Sequence, residues 1–278
     1  MERKNGYLIL DDLKQIEKEK SGHHICFWFS DKEQEYFFKV VNQKAQLKEL
    51  FYSTLLLENG YDAAKCDLAT FQNQQGIVSP TLNPNNFPSF TLEKIIDKYL
   101  KTDKYKNQKL YNLEKINELL ELEAKDQNCF YSNIQKRRLL LYFIMQILLG
   151  NSDLRSSNLE IMIKNEIVLF PFYDFELCGE ITLKLYEYFK NYLLKYDSKN
   201  RYRETPLMTL QIFLEEGSRE EIEYFRENLS ILRSVKPHKI FKICEEKTET
   251  SFSLIRKIEV GYRFKQNLKT IYEIIKKQ

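Results

Sequence analysis

The spacing of hydrophobic residues divides the chain into a strand-rich first part and a helix-rich remainder. Residues 25–29 and 35–41 are rich in aromatic and β-branched side chains, a pattern typical of two strands joined by a turn. Residues 67–71 and 76–79 predict a second hairpin. Between the hairpins, residues 46–58 repeat apolar positions at helical spacing and end at an Asn-Gly pair, which predicts a helix.

The later segments repeat apolar residues every three or four positions, which predicts a series of helices. These helices are predicted at residues 92–100, 113–122, 134–149, 181–196, 206–215, 220–232 and 252–277. A short hairpin is predicted at residues 159–172, and the proline- and asparagine-rich residues 80–88 are the predicted linker. The pattern therefore predicts an α+β fold of two lobes, a small β-rich N-lobe (1–82) and a larger, mostly helical C-lobe (83–278).

Composition excludes several classes of protein. Of the 278 residues, 30% are charged, and the net charge of +3 gives no basic face for direct nucleic-acid binding. The longest apolar run, residues 139–149, is about half the length that crosses a bilayer, so we expect a buried helix and no membrane contact. The five cysteines are odd in number and form no C-x-x-C pair, which favours a reducing, cytoplasmic location.

Three side chains in the middle of the chain have the spacing of a phosphoryl-transfer site. Asp153 is followed at i+5 by Asn158, and Asp174 comes at the end of an apolar, strand-like run. In a kinase C-lobe, an Asp at the first position orients the attacking hydroxyl, and the Asn and second Asp hold magnesium. Oxygen ligands of this kind suit a hard cation such as Mg²⁺.

The N-lobe contains a candidate for the lysine that such a site needs. Lys39 lies in the second predicted strand, ten residues before Glu49 on the predicted helix. Protein kinases place a strand lysine on the ATP phosphates and hold it with a glutamate from the next helix. The alternative is that Lys39 is a solvent-facing strand residue and that Glu49 is surface charge.

Taken together, these segments resemble the HipA-like serine/threonine kinases. The resemblance runs from about Ser21 to Asp174, and its most specific element is a Gly-Asn-x-Asp-x-x-x-x-Asn segment paired with a downstream Tyr-Asp. The residues that carry it are Tyr36-Phe37-Phe38-Lys39, Lys48-Glu49-Leu50-Phe51, Gly76-Ile77-Val78-Ser79, Gly150-Asn151-Ser152-Asp153 through Asn158, and Phe172-Tyr173-Asp174. The chain resembles the shorter members of the family, which lack an extra N-terminal subdomain.

The resemblance implies roles for the residues on the C-lobe side. Asp153 is expected to be the catalytic base, and Asn158 and Asp174 are expected to bind Mg²⁺. Arg155 stands where HipA-like loops commonly carry a histidine and ordinary protein kinases carry a lysine. Its bidentate guanidinium suits the stabilisation of phosphate charge, so we include Arg155 among the catalytic residues.

The resemblance also implies a nucleotide site on the N-lobe side. Lys39 is expected to contact the ATP phosphates, and Ser21 and Gly22 belong to the loop that covers the nucleotide. Val78 and Ser79 begin a hinge, residues 78–82, that holds adenine through its backbone. The covering loop is poor in glycine, and the position after Asp174-Phe175 is Glu176 where a glycine would allow the metal loop to flip.

The function that the resemblance implies is transfer of the ATP γ-phosphoryl group to a serine or threonine of a protein. HipA-like kinases also act as growth-arresting toxins that modify a translation-related protein and are restrained by an antitoxin partner. Two alternatives stay open. One is a small-molecule or lipid kinase on the same fold, and the other is a pseudokinase that binds nucleotide without turnover.

Overall fold

The computed structural model describes residues 1–18, 24–31, 34–100, 113–151, 158–179, 210, 214 and 217–276. The described residues form two compact units, each built from more than one chain segment. The first comprises Met1–Asn85, Pro171–Cys178 and Ser234–Tyr262. The second comprises the described parts of Asn86–Phe170, Gly179–Arg233 and Arg263–Gln278.

A seven-stranded sheet dominates the first unit. Its strands are β1 (Arg3–Lys4), β2 (Tyr7–Ile9), β3 (Lys14–Ile16), β4 (Cys26–Ser30), β5 (Glu35–Val40), β6 (Asp67–Phe71) and β7 (Gln74–Pro80). The order across the sheet is β1-β2-β6-β7-β5-β4-β3, and only the β2–β6 pair is parallel. Both predicted hairpins are present, because alternate residues of their strands bury one apolar face. That face forms a core of Leu10, Phe29, Phe38, Ala69, Phe71 and Val78.

Two of the described helices lie wholly within this unit. Helix α1 (Gln43–Glu58) begins at Asn42, whose side chain accepts hydrogen bonds from two backbone N–H groups of the first turn. The other is Pro237–Thr248 (α6), which the sequence pattern did not predict. Its Phe241 ring stacks on Phe51 of α1 with the ring centroids 4.6 Å apart. Twelve of the sixteen residues of α1 are buried, so the helix that follows β5 is firmly packed.

The second unit is mostly helical. Its described helices are α2 (Leu92–Leu100), α3 (Leu113–Asp126), α4 (Asn133–Leu149) and α5 (Arg219–Ser234). A small antiparallel sheet of β8 (Ser89–Thr91), β9 (Glu160–Ile163) and β10 (Ile167–Leu169) joins them. The last helix, α7 (Leu254–Ile275), belongs to the first unit up to Tyr262 and to the second from Arg263. Of the helices described, none is both long and apolar enough to cross a membrane.

Candidate functional site

Lys39 lies on a central strand of the large sheet. Strand β5 pairs with β4 on one side and with β7 on the other, and Lys39 is opposite Cys26 and Ile77. Its side chain is 13% exposed, so the solvent-facing alternative is excluded. Gly76 of β7 packs directly on the backbone here, because a Cβ at this position would lie 2.1 Å from the Lys39 carbonyl oxygen. The backbone that carries Lys39 is therefore fixed on both sides.

Helix α1 places Glu49 against this lysine. The Lys39 Nζ and Glu49 Oε1 atoms are 3.3 Å apart, and the Glu49 side chain is only 5% exposed. The second carboxylate oxygen of Glu49 accepts a hydrogen bond from the backbone N–H of Phe175 at 3.0 Å. Glu49 therefore joins the strand lysine to the segment that contains Asp174.

Asp174 is a second carboxylate in contact with Lys39. Its Oδ1 atom lies 2.9 Å from Lys39 Nζ. Phe172, two residues before Asp174, is held by backbone hydrogen bonds to Asp62 and Ala64 at 2.9 and 2.7 Å. Asp174 itself has φ +61°, a left-handed conformation that non-glycine residues adopt infrequently and that aspartate tolerates better than most. Unusual backbone conformations of this kind concentrate at functional sites.

The electrostatics of the cluster favour a charged lysine. Burial opposes the ammonium form of Lys39, but the nearby carboxylates of Glu49, Asp174 and Glu176 outweigh this and hold its pKa above the usual value. Burial raises the pKa of Glu49 to about 7, against the opposing pull of Lys39. The three carboxylates thus hold the Lys39 ammonium in its charged form.

Three further residues join this cluster, and the sequence analysis assigned none of them a role. Glu176 Oε2 lies 3.2 Å from Lys39 Nζ and 2.9 Å from His24 Nε2. Lys48, which directly precedes Glu49 on α1, donates a hydrogen bond from Nζ to the Glu176 carbonyl oxygen at 2.9 Å. The proximity of Lys48 to Glu49 was visible in the sequence, but its contact 128 residues away was not.

The predicted hinge residues lie at the end of β7. Val78 is 3% exposed and is paired with Phe38 of β5 and with Asp67 of β6. Asp67 is the first residue of β6, so Ser79 pairs only with Phe37 of β5. Among the strands that the structure describes, β7 therefore has a partner on only one side from Ser79 onward.

The remaining predicted site residues divide into two groups. Asn158 belongs to the second unit, where its backbone oxygen accepts a hydrogen bond from the Tyr142 hydroxyl at 3.0 Å. Ser21, Gly22, Asp153 and Arg155 lie outside the described residues.

No ready-made metal cluster is present in the part of the chain that the structure describes, where no three His, Cys, Asp or Glu side chains are arranged to hold an ion. Magnesium does not require one, because it usually takes one or two protein carboxylates together with substrate phosphates and water. Asp174, with a side chain 34% exposed, is available as such a ligand.

Comparison with known proteins identifies the fold. No protein-family model and no curated protein sequence matches this chain. Among solved structures, the chain is similar to the proinflammatory kinase CtkA of Helicobacter pylori, with a TM-score of 0.64 at 12% identity. The match covers 98% of this chain and 99% of that one.

A second similarity is to HipA of Shewanella oneidensis MR-1, solved with HipB and its operator DNA. The TM-score is 0.50 at 12% identity, and the match covers 87% of this chain and 58% of that one. The chain has a protein kinase-like α+β fold. The sequence prediction of that fold, with a β-rich part and a helical part, is thereby confirmed. At this level of identity, the two similarities establish the fold alone.

Proposed function

We propose that this protein is an ATP- and magnesium-dependent kinase that phosphorylates a serine or threonine of a protein substrate. The observation that carries the proposal is the buried pair of Lys39 and Glu49 beside Asp174. Protein kinases use this combination, a strand lysine held by a helix glutamate next to a metal-binding aspartate, to bind ATP phosphates. The kinase-like fold supports the same conclusion.

Lys39 is the phosphate-binding residue in this proposal. Its ammonium remains charged because three carboxylates raise its pKa. Glu49 is the positioning residue, since it contacts Lys39 through one oxygen and the backbone of Phe175 through the other. The two carboxylate oxygens thereby hold the lysine and the metal loop at a fixed separation.

The donor set near Lys39 fits magnesium. Three carboxylates surround one lysine ammonium, so the cluster has an excess of negative charge that a divalent cation offsets. Asp174 is the proposed magnesium ligand of this cluster, and the resemblance to HipA-like kinases adds Asn158 as a second one. Both side chains supply the oxygen atoms that magnesium prefers. When bound, the ion would neutralise charge on the phosphate oxygens during transfer.

The resemblance to HipA-like kinases supplies the remaining roles. Asp153 orients the attacking hydroxyl and accepts its proton, and Arg155 stabilises charge on the transferred phosphoryl group. Ser21 and Gly22 cover the nucleotide. The backbone of Ser79, which pairs with β5 and with no second strand among those described, is suited to hydrogen bonds with adenine. The side chain of Val78 is buried in the core of the sheet and anchors this segment.

The same resemblance leads to the proposed partners. The similar structure of HipA contains its partner HipB, so we propose a protein antitoxin as a partner of this chain as well. The substrate proposed on this basis is a protein of translation, modified so that growth stops. The proposed location is the cytoplasm, where ATP and such substrates are found.

The experiment that tests the function uses γ-labelled ATP, magnesium and a cytoplasmic extract, with Asp153→Ala as the matched control. We expect acid-precipitable label on an extract protein or on the kinase itself, absent with the variant. Label only in the acid-soluble fraction would indicate a small-molecule kinase. Bound ATP without any transfer would indicate a pseudokinase.

A further inference from the structure

Among the described residues, three carboxylates contact Lys39, and the proposed reaction gives no role to one of them, Glu176. It follows Asp174-Phe175 directly, at the position where a glycine would leave the metal loop free. Its carboxylate lies 3.2 Å from the Lys39 ammonium and 2.9 Å from the His24 imidazole. A side chain held by two partners is an ordered feature of the site.

The backbone of Glu176 is held as well. Lys48 of α1 donates to the Glu176 carbonyl oxygen at 2.9 Å, and Lys48 is almost fully buried in the helix that also carries Glu49. The Glu176 side chain is 24% exposed, compared with 5% for Glu49. Of these two carboxylates, Glu176 is therefore the one that solvent or a ligand reaches.

A lysine ammonium has three N–H donors, and Lys39 has three carboxylates around it. Glu49 and Asp174 are hydrogen-bonded to the ammonium, whereas Glu176 is held to it as an ion pair at 3.2 Å. A phosphate oxygen that approaches Lys39 therefore displaces the Glu176 contact most easily. Glu49 is the most buried and also accepts from the Phe175 backbone, so it is the costliest to displace. Asp174 is the proposed metal ligand and remains beside the phosphates. Glu176 is the carboxylate that the phosphate replaces.

We infer that Glu176 competes with the nucleotide phosphates for Lys39 and so sets the affinity of the site for ATP. This inference rests on the proposed kinase function. Two effects weaken ATP binding. Glu176 forms an ion pair with the Lys39 ammonium that a phosphate would otherwise form, and its negative charge repels the phosphates. His24 strengthens the competition because its imidazole contacts the same Glu176 carboxylate and holds it in place. In the sequence, His24 comes two residues after Gly22.

The competition involves only the phosphates, which gives the inference a specific signature. Removing the charge of Glu176 strengthens the binding of ATP and leaves the binding of adenosine unchanged, because adenosine has no phosphate. A general loosening of the fold would weaken both ligands. The ratio of the two affinities therefore separates competition at Lys39 from a structural effect.

The test is titration calorimetry of magnesium–ATP and of adenosine with wild type, Glu176→Gln and Glu58→Gln. Glu58 is an exposed residue at the end of α1, so its variant removes the same charge from the same unit. We expect Glu176→Gln to bind ATP about tenfold more tightly, adenosine equally, and Glu58→Gln to match wild type. Glu176→Ala, which also removes the contact with His24, is expected to behave like Glu176→Gln.

Suppose that wild type binds ATP and that both Glu176 variants bind it equally or more weakly. This result would overturn the inference and leave the proposed function intact. Tighter binding of adenosine by the same factor as ATP would also overturn it. If wild type and all variants fail to bind ATP, the proposed function falls, and the inference falls with it.

Discussion

Lys39 and Glu49 form a largely buried ion pair, with 3.3 Å between Nζ and Oε1. The two residues are ten positions apart in the chain. Strand β5 presents the lysine and helix α1, which starts three residues after β5 ends, presents the glutamate one and a half turns later. The pair connects the sheet, the helix and the segment of Asp174. This connection is the structural basis of the predictions that follow.

Glu49→Gln is expected to reduce the rate of phosphoryl transfer about 10- to 100-fold, because a neutral amide no longer fixes the charged Lys39. The measurement is the initial rate of label transfer from γ-labelled ATP. The control is Glu58→Gln, on the same helix but exposed, which should match wild type. A Glu49→Gln enzyme that is folded and fully active would show that Glu49 does not position the lysine.

Gly76→Ala is expected to destabilise the protein by about 2–4 kcal/mol, because a Cβ cannot fit 2.1 Å from the Lys39 carbonyl oxygen. The strands β5 and β7 would have to separate at Lys39, the residue proposed to bind phosphate, so we expect ATP affinity to fall as well. The control is Gly60→Ala, where the added Cβ meets no atom within 4 Å and the cost is limited to the positive φ of 80°. Thermal unfolding and calorimetry measure the two effects, and equal destabilisation by both variants would contradict the expectation.

Glu123 in the second unit predicts a pH dependence of stability. Its carboxylate is almost fully buried and accepts hydrogen bonds from Lys98, Tyr99 and Gln127 at 2.7–2.9 Å. Burial alone would raise the pKa of Glu123, but these donors together lower it below the usual value. Its ionised form therefore stabilises the fold above the unfolded-state pKa, and the contribution is lost as the pH falls through the folded-state pKa.

Glu123→Gln is accordingly expected to lower the free energy of unfolding by about 1–2 kcal/mol at pH 7. The difference from wild type should shrink below about pH 4.5, where the unfolded carboxyl begins to protonate. Urea unfolding across this pH range measures the difference. Glu118→Gln, on an exposed pair of the same helix, should show no such change. A difference that stays constant with pH would argue against the ionised form of Glu123.

The sequence predicted those parts of the fold and site that depend on local patterns. The hairpin of β4 and β5 follows from its run of aromatic residues. The contact of Lys39 with Glu49 was one of two alternatives that their positions on a strand and the next helix left open, and the structure shows that contact. Strand β3 was not predicted, because its Lys14-Gln15-Ile16 sequence has no strand pattern and depends on pairing with β4. Helix α6 was missed for a similar reason, since its packing on α1 buries only part of a polar sequence.

The partners of Glu176 were beyond prediction from sequence for a different reason. His24 and Lys48 reach it from positions more than a hundred residues away, and no spacing rule connects such residues. The sequence showed only that Glu176 stands after Asp174-Phe175, where a glycine would allow the loop to flip. In the described structure, Glu176 contacts Lys39, the lysine that we propose binds phosphate.

The central claim is that Lys39 binds the phosphates of ATP for transfer, and the most direct measurement is the rate of label transfer by Lys39→Met. The control is Lys44→Met, which removes a half-exposed lysine of helix α1 from a surface ion pair with Glu259. The account predicts a loss of at least about 100-fold for Lys39→Met at an unchanged fold, and near wild-type activity for the control. Transfer by Lys39→Met at the wild-type rate would contradict the account.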